Sequence, residues 1–191
     1  TICSSVPQAE SRIAHFNAML PLILNIALFQ MAWIACVLGA AKGAPAIGVV
    51  VAAVVVAWHL LRAADAKRDS IVIVVALLLG GLFETFLIQT GWVRYQNGIL
   101  IQGIAPYWML ALWAVFATTL NVSLHSLLAR RGLAAMLGGF GGPAAYYAGA
   151  KLGALEFVAF GSALGAIGVG WAILTPVLFE VARRCNGYAR T

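Results

Sequence analysis

Glu84 is the residue of this sequence best placed to do chemistry: a single carboxylate near the end of an apolar run from Ser70 to Thr90. Its only companions there with hydrogen-bonding side chains are Ser70, Thr85, Gln89 and Thr90. A run of this length crosses a bilayer, where an ionisable group costs about 2.5–3.5 kcal/mol on insertion scales. Something must offset that cost. With Ser70 at the inner edge and a rise of about 1.5 Å per residue, Glu84 lies about 20 Å in, in the outer half of the membrane. Two accounts compete. In one, Glu84 is protonated or hydrogen-bonded to a neighbouring helix and only locks packing. In the other it binds a proton, a cation or a cationic headgroup, or serves as a general acid or base. The same count puts Gln30 and Arg94 in the outer half as its partners, and Tyr95 follows in the aromatic turn. Glu84, Gln30, Arg94 and Tyr95 are therefore the candidate ligand-binding group.

A second polar group lies nearer the opposite end. Thr118, Asn121 and His125 recur at i, i+3 and i+7, one face of a helix, with Thr119 and Ser123 at offset positions. His59 sits two residues before the end of the second apolar segment, and Asn25 lies on the inner half of the first. Together they would line a polar pocket open to the inside. The competing account is interhelical hydrogen bonding, worth about 0.6–2 kcal/mol in membranes.

Other chemistries lack their residues. His15, His59 and His125 show no HxxxH or HxxE spacing, and Cys3, Cys36 and Cys185 no CxxC, so neither a metal site nor a redox pair is expected. No GxSxG marks a hydrolase elbow, and no motif calls for a cofactor. The sequon Asn121-Val122-Ser123 falls inside an apolar segment, out of reach of glycosylation.

The elements that must position these residues are membrane helices. Of 191 residues 63% are hydrophobic and 9% charged, with mean hydropathy +0.96, whereas soluble domains carry about 25% charged residues. Six spans are expected, at about 17–40, 44–61, 70–90, 106–128, 133–150 and 156–182, in a single domain because the connections are too short to fold alone. Pro21, Pro45 and Pro106 sit at helix starts, where a missing N–H does little harm, and Pro176 is expected to kink the last span. GGFGGP (138–143) interrupts the fifth, which reads either as a close packing surface or as a discontinuous helix around a substrate. Three GxxxG pairs, Gly138/Gly142, Gly149/Gly153 and Gly161/Gly165, predict a tight crossing of the fifth and sixth spans. Residues 1–16 lack the apolar core and cleavage site of a signal peptide.

Orientation follows from the basic residues. With six spans and the N-terminus inside, Arg12, Arg62, Lys67, Arg68, Arg130, Arg131, Arg183, Arg184 and Arg190 are cytoplasmic, and Lys42, Arg94 and Lys151 lie outside. That is a positive-inside bias with both termini cytoplasmic. The net charge of +6 is scattered over segment ends, which argues against nucleic acid as a partner. Trp92, Tyr95, Tyr107 and Trp108 mark the outer interface. Between them YQNGILIQG (95–103) carries an Asn-Gly hairpin signal and reads either as a small reentrant or interfacial turn or as a plain loop.

Four strings, FQMAWIACVLGAAKGAP (29–45), FETFLIQTGWVRYQNG (83–98), APYWMLALWAVFATTLNVSL (105–124) and GGPAAYYAGAKLGAL (141–155), carry a resemblance. In combination they resemble an uncharacterised family of small bacterial inner-membrane proteins, domain of unknown function 2878, over about residues 25–184. The resemblance implies a bacterial inner-membrane location. Relatives beside lipid-modifying genes, such as those for cyclopropane-fatty-acid synthases, imply a role in membrane-lipid metabolism or envelope stress. The family supplies no functional residues to carry over.

The expected fold is thus all-α: a polytopic membrane protein, six transmembrane helices with both termini cytoplasmic. Three functions compete. The first is handling of a lipid or other amphipathic small molecule, with membrane lipids as partners and Glu84 as the ionisable centre. The second is a small transporter or channel subunit working as a homo-oligomer, with Glu84 and the Thr118/Asn121/His125 face on one path. The third is a structural subunit of a larger membrane complex. No inverted repeat relates the first three spans to the last three, which counts against transport.

Overall fold

The computed structural model describes the backbone over residues 6–188 and side chains over residues 19–188. Cys3 and Arg190 lie outside the described residues, and Arg12 and His15 outside those with described side chains. Six helices account for most of the chain: α1 (Val6–Ala41), α2 (Pro45–Arg62), α3 (Ala66–Gln89), α4 (Tyr107–Leu120), α5 (Arg131–Lys151) and α6 (Phe160–Arg184). Two short strands, β1 (Val93–Tyr95) and β2 (Leu155–Phe157), pair antiparallel with Arg94 opposite Glu156 and Tyr95 opposite Leu155.

Four helices are long and apolar enough to cross a membrane: Met19–Ala41 within α1, α2, α3 and α6. Their outward surfaces are apolar too, with Ile47, Val50, Val54, Leu78, Leu82 and Val169 exposed, as expected where hydrocarbon replaces water. α5 is long enough, at 21 residues or about 31 Å, but less apolar. α4 departs most from expectation. It has 14 residues, about 21 Å of helix, and it is the buried centre of the bundle, with Trp108, Trp113, Val115, Thr118 and Leu120 nearly inaccessible.

Physical causes for these differences are visible locally. α4 was expected to reach residue 128 and stops at Leu120. There the Thr118 and Thr119 hydroxyls donate to the carbonyls of Val115 and Phe116, and the Asn25 amide takes the Thr118 carbonyl at 3.2 Å. Side chains that compete for backbone carbonyls end a helix. Irregular turns and a short 3-10 turn at His125–Leu127 follow. α3 starts at Ala66, earlier than Ser70, because Asp65 caps it by accepting from the amides of Lys67 and Arg68 at 3.1 and 3.2 Å. Glycine does not break α5, which runs continuously through Pro143. Likewise α6 continues through Pro176.

The Asn-Gly pair makes no hairpin. Gly98, at φ +81, turns the chain so that its carbonyl accepts from the Tyr107 amide at 3.0 Å, while Asn97 donates to the Ala40 carbonyl at 2.9 Å. The strand partner of Tyr95 lies instead in the α5–α6 connection, a non-local pairing that a local turn signal cannot reveal.

α1 packs on α2, and both pack with α3 against α4, while α5 and α6 pair with each other. At one end of the molecule β1–β2 ties the α5–α6 pair to the rest.

Candidate functional site

Four segments converge on Glu84, which is fully buried at 0% exposure. The strand V-R-Y alternates buried, exposed, buried, which turns Tyr95 inward, and its hydroxyl donates to Glu84 Oε2 at 2.7 Å. From α4 the Trp113 indole N–H donates to Oε1 at 3.1 Å. From α5 the Tyr146 hydroxyl donates to the same oxygen. Three neutral donors thus replace the water the carboxyl group would otherwise bind. Burial first, then the adjacent Glu84 charge, hold the Tyr95 hydroxyl well above the ordinary tyrosine range, so it remains a donor.

Behind two of these donors lies a cavity of about 460 Å³ between α1 and α4 on one side and α5 and α6 on the other. Its walls are largely apolar, with the aromatic side chains of Trp33, Trp113, Phe116, Tyr146 and Trp171 among those lining it. Glu84 is not one of them. It touches the cavity only through Trp113 and Tyr146, whose positions it fixes. Trp171 stacks on Trp113 with ring centroids 4.5 Å apart and meets Phe116 edge-on at 5.2 Å.

Trp171 and Thr175 are seated by two glycines of α5. A Cβ on Gly138 would stand 2.2 Å from Thr175 Oγ1, and one on Gly142 2.5 Å from the Trp171 ring. The expected close crossing of α5 and α6 is therefore present at Gly138/Gly142. The Gly161/Gly165 pair takes no part in it, with open space around both. Thr175 is 1% exposed, and its hydroxyl has no hydrogen-bond partner. The Trp171 indole N–H also completes no hydrogen bond of ordinary geometry, although it faces the Tyr146 hydroxyl.

Lining residues that are also exposed locate the cavity mouth: Ile26 and Gln30 on α1, Leu137 and Gly141 on α5. The mouth is thus lateral. Gln30 lies midway along the apolar stretch Met19–Ala41, about 16 Å from either end. Among the described residues its side chain has no hydrogen-bond partner.

Of the outer candidates, the structure brings Tyr95 to Glu84 and separates the other two. Gln30 stands at the mouth. Arg94, next to Tyr95 on the strand, points away and pairs at 3.2 Å with Glu156, both ends more than half exposed. Strand alternation forces this, since one neighbour faces in only if the other faces out. Of the remaining donors, Tyr146 follows the glycine-rich stretch of α5, where the sequence offers Tyr146 and Tyr147 as hydroxyls for any site, and Trp113 has no sequence signal near Glu84.

The inner candidates divide into two clusters. Asn25 joins the end of α4, donating to the Thr118 carbonyl and accepting from Ser123 at 2.7 Å. His59 and Asn121 meet on Asp69, a residue the sequence analysis passed over. Asp69 is 2% exposed. Its Oδ2 meets His59 Nε2, and its Oδ1 accepts from Asn121 Nδ2 at 2.7 Å and the Gly187 amide at 3.2 Å. Tyr188 closes the group, donating to the His59 carbonyl at 2.6 Å and lying 3.2 Å from His59 Nδ1. His125 is exposed beyond the end of α4 and faces Asn186 at 3.5 Å. The predicted face broke where α4 ended. Asp69 lies in the first turn of α3, ten residues from His59 across the short α2–α3 connection.

Residues 22–177 match the model of a family described as a protein of unknown function, DUF2878. No curated protein and no solved structure matches the chain.

Proposed function

We propose, for a chain that belongs to the DUF2878 family of proteins of unknown function, that it takes up a lipid or other amphipathic small molecule from the bilayer into the cavity walled by Trp113 and Tyr146. The observation that carries this is the lateral mouth with Gln30 at mid-membrane depth. A primary amide without a protein partner in hydrocarbon is costly, and a polar headgroup passing or resting there would offset the cost. The cavity falls within the range of about 300–1,000 Å³ that suits small ligands. Glu84 then serves as the anchor of the aromatic wall, with Tyr146 relaying any proton exchange between the carboxyl group and the cavity. The setting is the bacterial inner membrane, with both termini cytoplasmic. α4 with the irregular stretch after it, and then α5, complete six crossings.

Native mass spectrometry of the gently extracted protein tests this, comparing the natural chain with Gln30→Leu and Glu84→Gln. The natural chain should retain a defined species, reduced in both variants. Identical lipid adducts in all three would overturn the proposal and leave Glu84 as a packing residue.

A further inference from the structure

The cavity is polar at its mouth and apolar behind it. Among the described residues no Lys, Arg, His, Asp or Glu lines it. The donors of the inner wall are already spent on the protein. Trp113 and Tyr146 donate to Glu84, the Trp108 indole N–H to the Asn97 carbonyl, Thr119 to the Phe116 carbonyl and Ser123 to Asn25. The Trp171 nitrogen and the Thr175 hydroxyl are shut into the α5–α6 contact and offer a ligand no surface. A polar head drawn inside would leave its own partners and find no donor free to replace them.

Two polar side chains of the wall have no partner among the described residues and are not enclosed, and both belong to α1. Gln30 is exposed at the mouth, and Trp33 is part-exposed one turn further along. An indole N–H only donates and an amide donates and accepts, so the pair suits a head that carries an oxygen acceptor. Beyond the mouth the cavity is closed. Val37, Trp108 and Leu155 line its end nearest the β1–β2 ribbon and are buried. Leu155 is a ribbon residue that lies over α5, where a Cβ on Gly149 would stand 3.5 Å from Leu155 Cδ2. Volume then limits what fits. An apolar cavity of about 150 Å³ holds one benzene, six carbons, so on that scale about 460 Å³ holds about 18 carbons.

Resting on the reading that the cavity takes a bilayer amphiphile, we infer that it holds the hydrocarbon tail and leaves the head outside. The ligand enters tail first, as one acyl or alkyl chain of up to about 18 carbons running from the mouth towards the β1–β2 ribbon. An oxygen acceptor of its head stays at the mouth, on Gln30 and the Trp33 indole. Longer chains are excluded by the closed end.

Three monoacylglycerols that share one head test this: monolaurin, monoolein and mononervonin, with twelve, eighteen and twenty-four carbons in the chain. The full-length delipidated protein is given an equimolar mixture, and native mass spectrometry reads the occupancy of each. Adhesion to an apolar surface rises with chain length, so a ceiling stands out against it. Monoolein should exceed mononervonin at least fivefold on the natural chain. Ala148→Phe fills the end beneath the ribbon and should move the preference to monolaurin. Gln30→Leu should weaken all three at least threefold and keep their order. Gly141→Leu, at a position with open space around a new Cβ, should narrow the mouth and abolish binding of all three.

Mononervonin bound as well as monoolein, and lost in Gly141→Leu, would keep the cavity reading and overturn the closed tail site. That outcome is read on the natural chain, whatever the folding of Ala148→Phe. A folded Ala148→Phe with an unchanged length preference would overturn the tail-first orientation, and undiminished binding in Gln30→Leu would overturn the placing of the head. Binding of no probe to the natural chain, or binding indifferent to Gly141→Leu, would overturn the cavity reading itself.

Discussion

Among the described residues two carboxylates are buried, and they stand in opposite company. Glu84 at one end is held by three neutral side-chain donors from three segments, two of which form the wall of a cavity. Asp69 at the other end is held by a histidine, an asparagine and a backbone amide of the C-terminal tail. Its ligands are already protein, and they close the cluster. Burial of an acid in a membrane helix raises the same question at both places, and the answer comes from what lies beyond its donors. The donors of Glu84 back onto a cavity, whereas those of Asp69 hold the segment after α6 against α3 and α4.

Substitution should separate the two. The largest effect is expected from Glu84→Ala, which strands three buried donors, each costing about 1–3 kcal/mol when unsatisfied. A loss on the order of 3 kcal/mol or more should appear in thermal denaturation in detergent, together with loss of bound amphiphile. Asp69→Ala should cost a similar amount or somewhat less, about 2–3 kcal/mol, and free the C-terminal tail. Limited proteolysis should then remove the residues after Arg184 while the cavity keeps its ligand. Ligand lost on Asp69→Ala, with the fold intact, would merge the two regions into one functional unit.

Gly142→Ala is a milder probe of the outer region alone. Its new methyl must displace Trp171, so ligand binding should fall several-fold while the tail stays protected from protease.

The inner region has a pH signature. Burial, helped by the Asp69 charge and opposed by Arg62, pushes the Tyr188 hydroxyl up to about 12, against about 10 for a free tyrosine. A raised pKa in the folded state means that the docked tail is fully supported below about pH 10, and that this support is lost as pH climbs towards 12. Subtracting the tyrosinate absorbance of Tyr188→Phe from that of the natural chain should show one tyrosine ionising near pH 12. Ionisation near 10 would mean an undocked tail.

The smallest effect belongs to Arg94→Gln. An exposed ion pair is worth about 0–1 kcal/mol, so stability and ligand retention should both be nearly unchanged. A marked loss of ligand would return Arg94 to the site.

Membrane character, the positions of the long helices and the nearness of Tyr95 to Glu84 were legible in the sequence, because each depends on composition, run length or near neighbours, although Gln30 and Arg94 were the partners expected for Glu84. The other donors were not. Trp113 and Tyr146 reach Glu84 from 29 and 62 residues away, and no period or spacing encodes a meeting of α3, α4 and α5. Arg94 was drawn to Glu84 by charge and proximity, and strand alternation sent it outward. Asp69 drew no notice because the helix start was set at Ser70, one residue after it. The cap on Asp65 moves that start back to Ala66 and carries Asp69 inside. His125 was assigned by extrapolating a helical face beyond the point where Thr118 and Thr119 had ended the helix.

The α5–α6 pair is fastened to the other helices at both extremities, by the β1–β2 ribbon at one and by the docked segment Cys185–Tyr188 at the other. A stave pinned at both hoops can bow but cannot swing out. The seam between α1 and α5 is therefore freest along its middle, at the level of Gln30, and under the proposed uptake a ligand would slip in sideways there while the ends of the bundle stay shut.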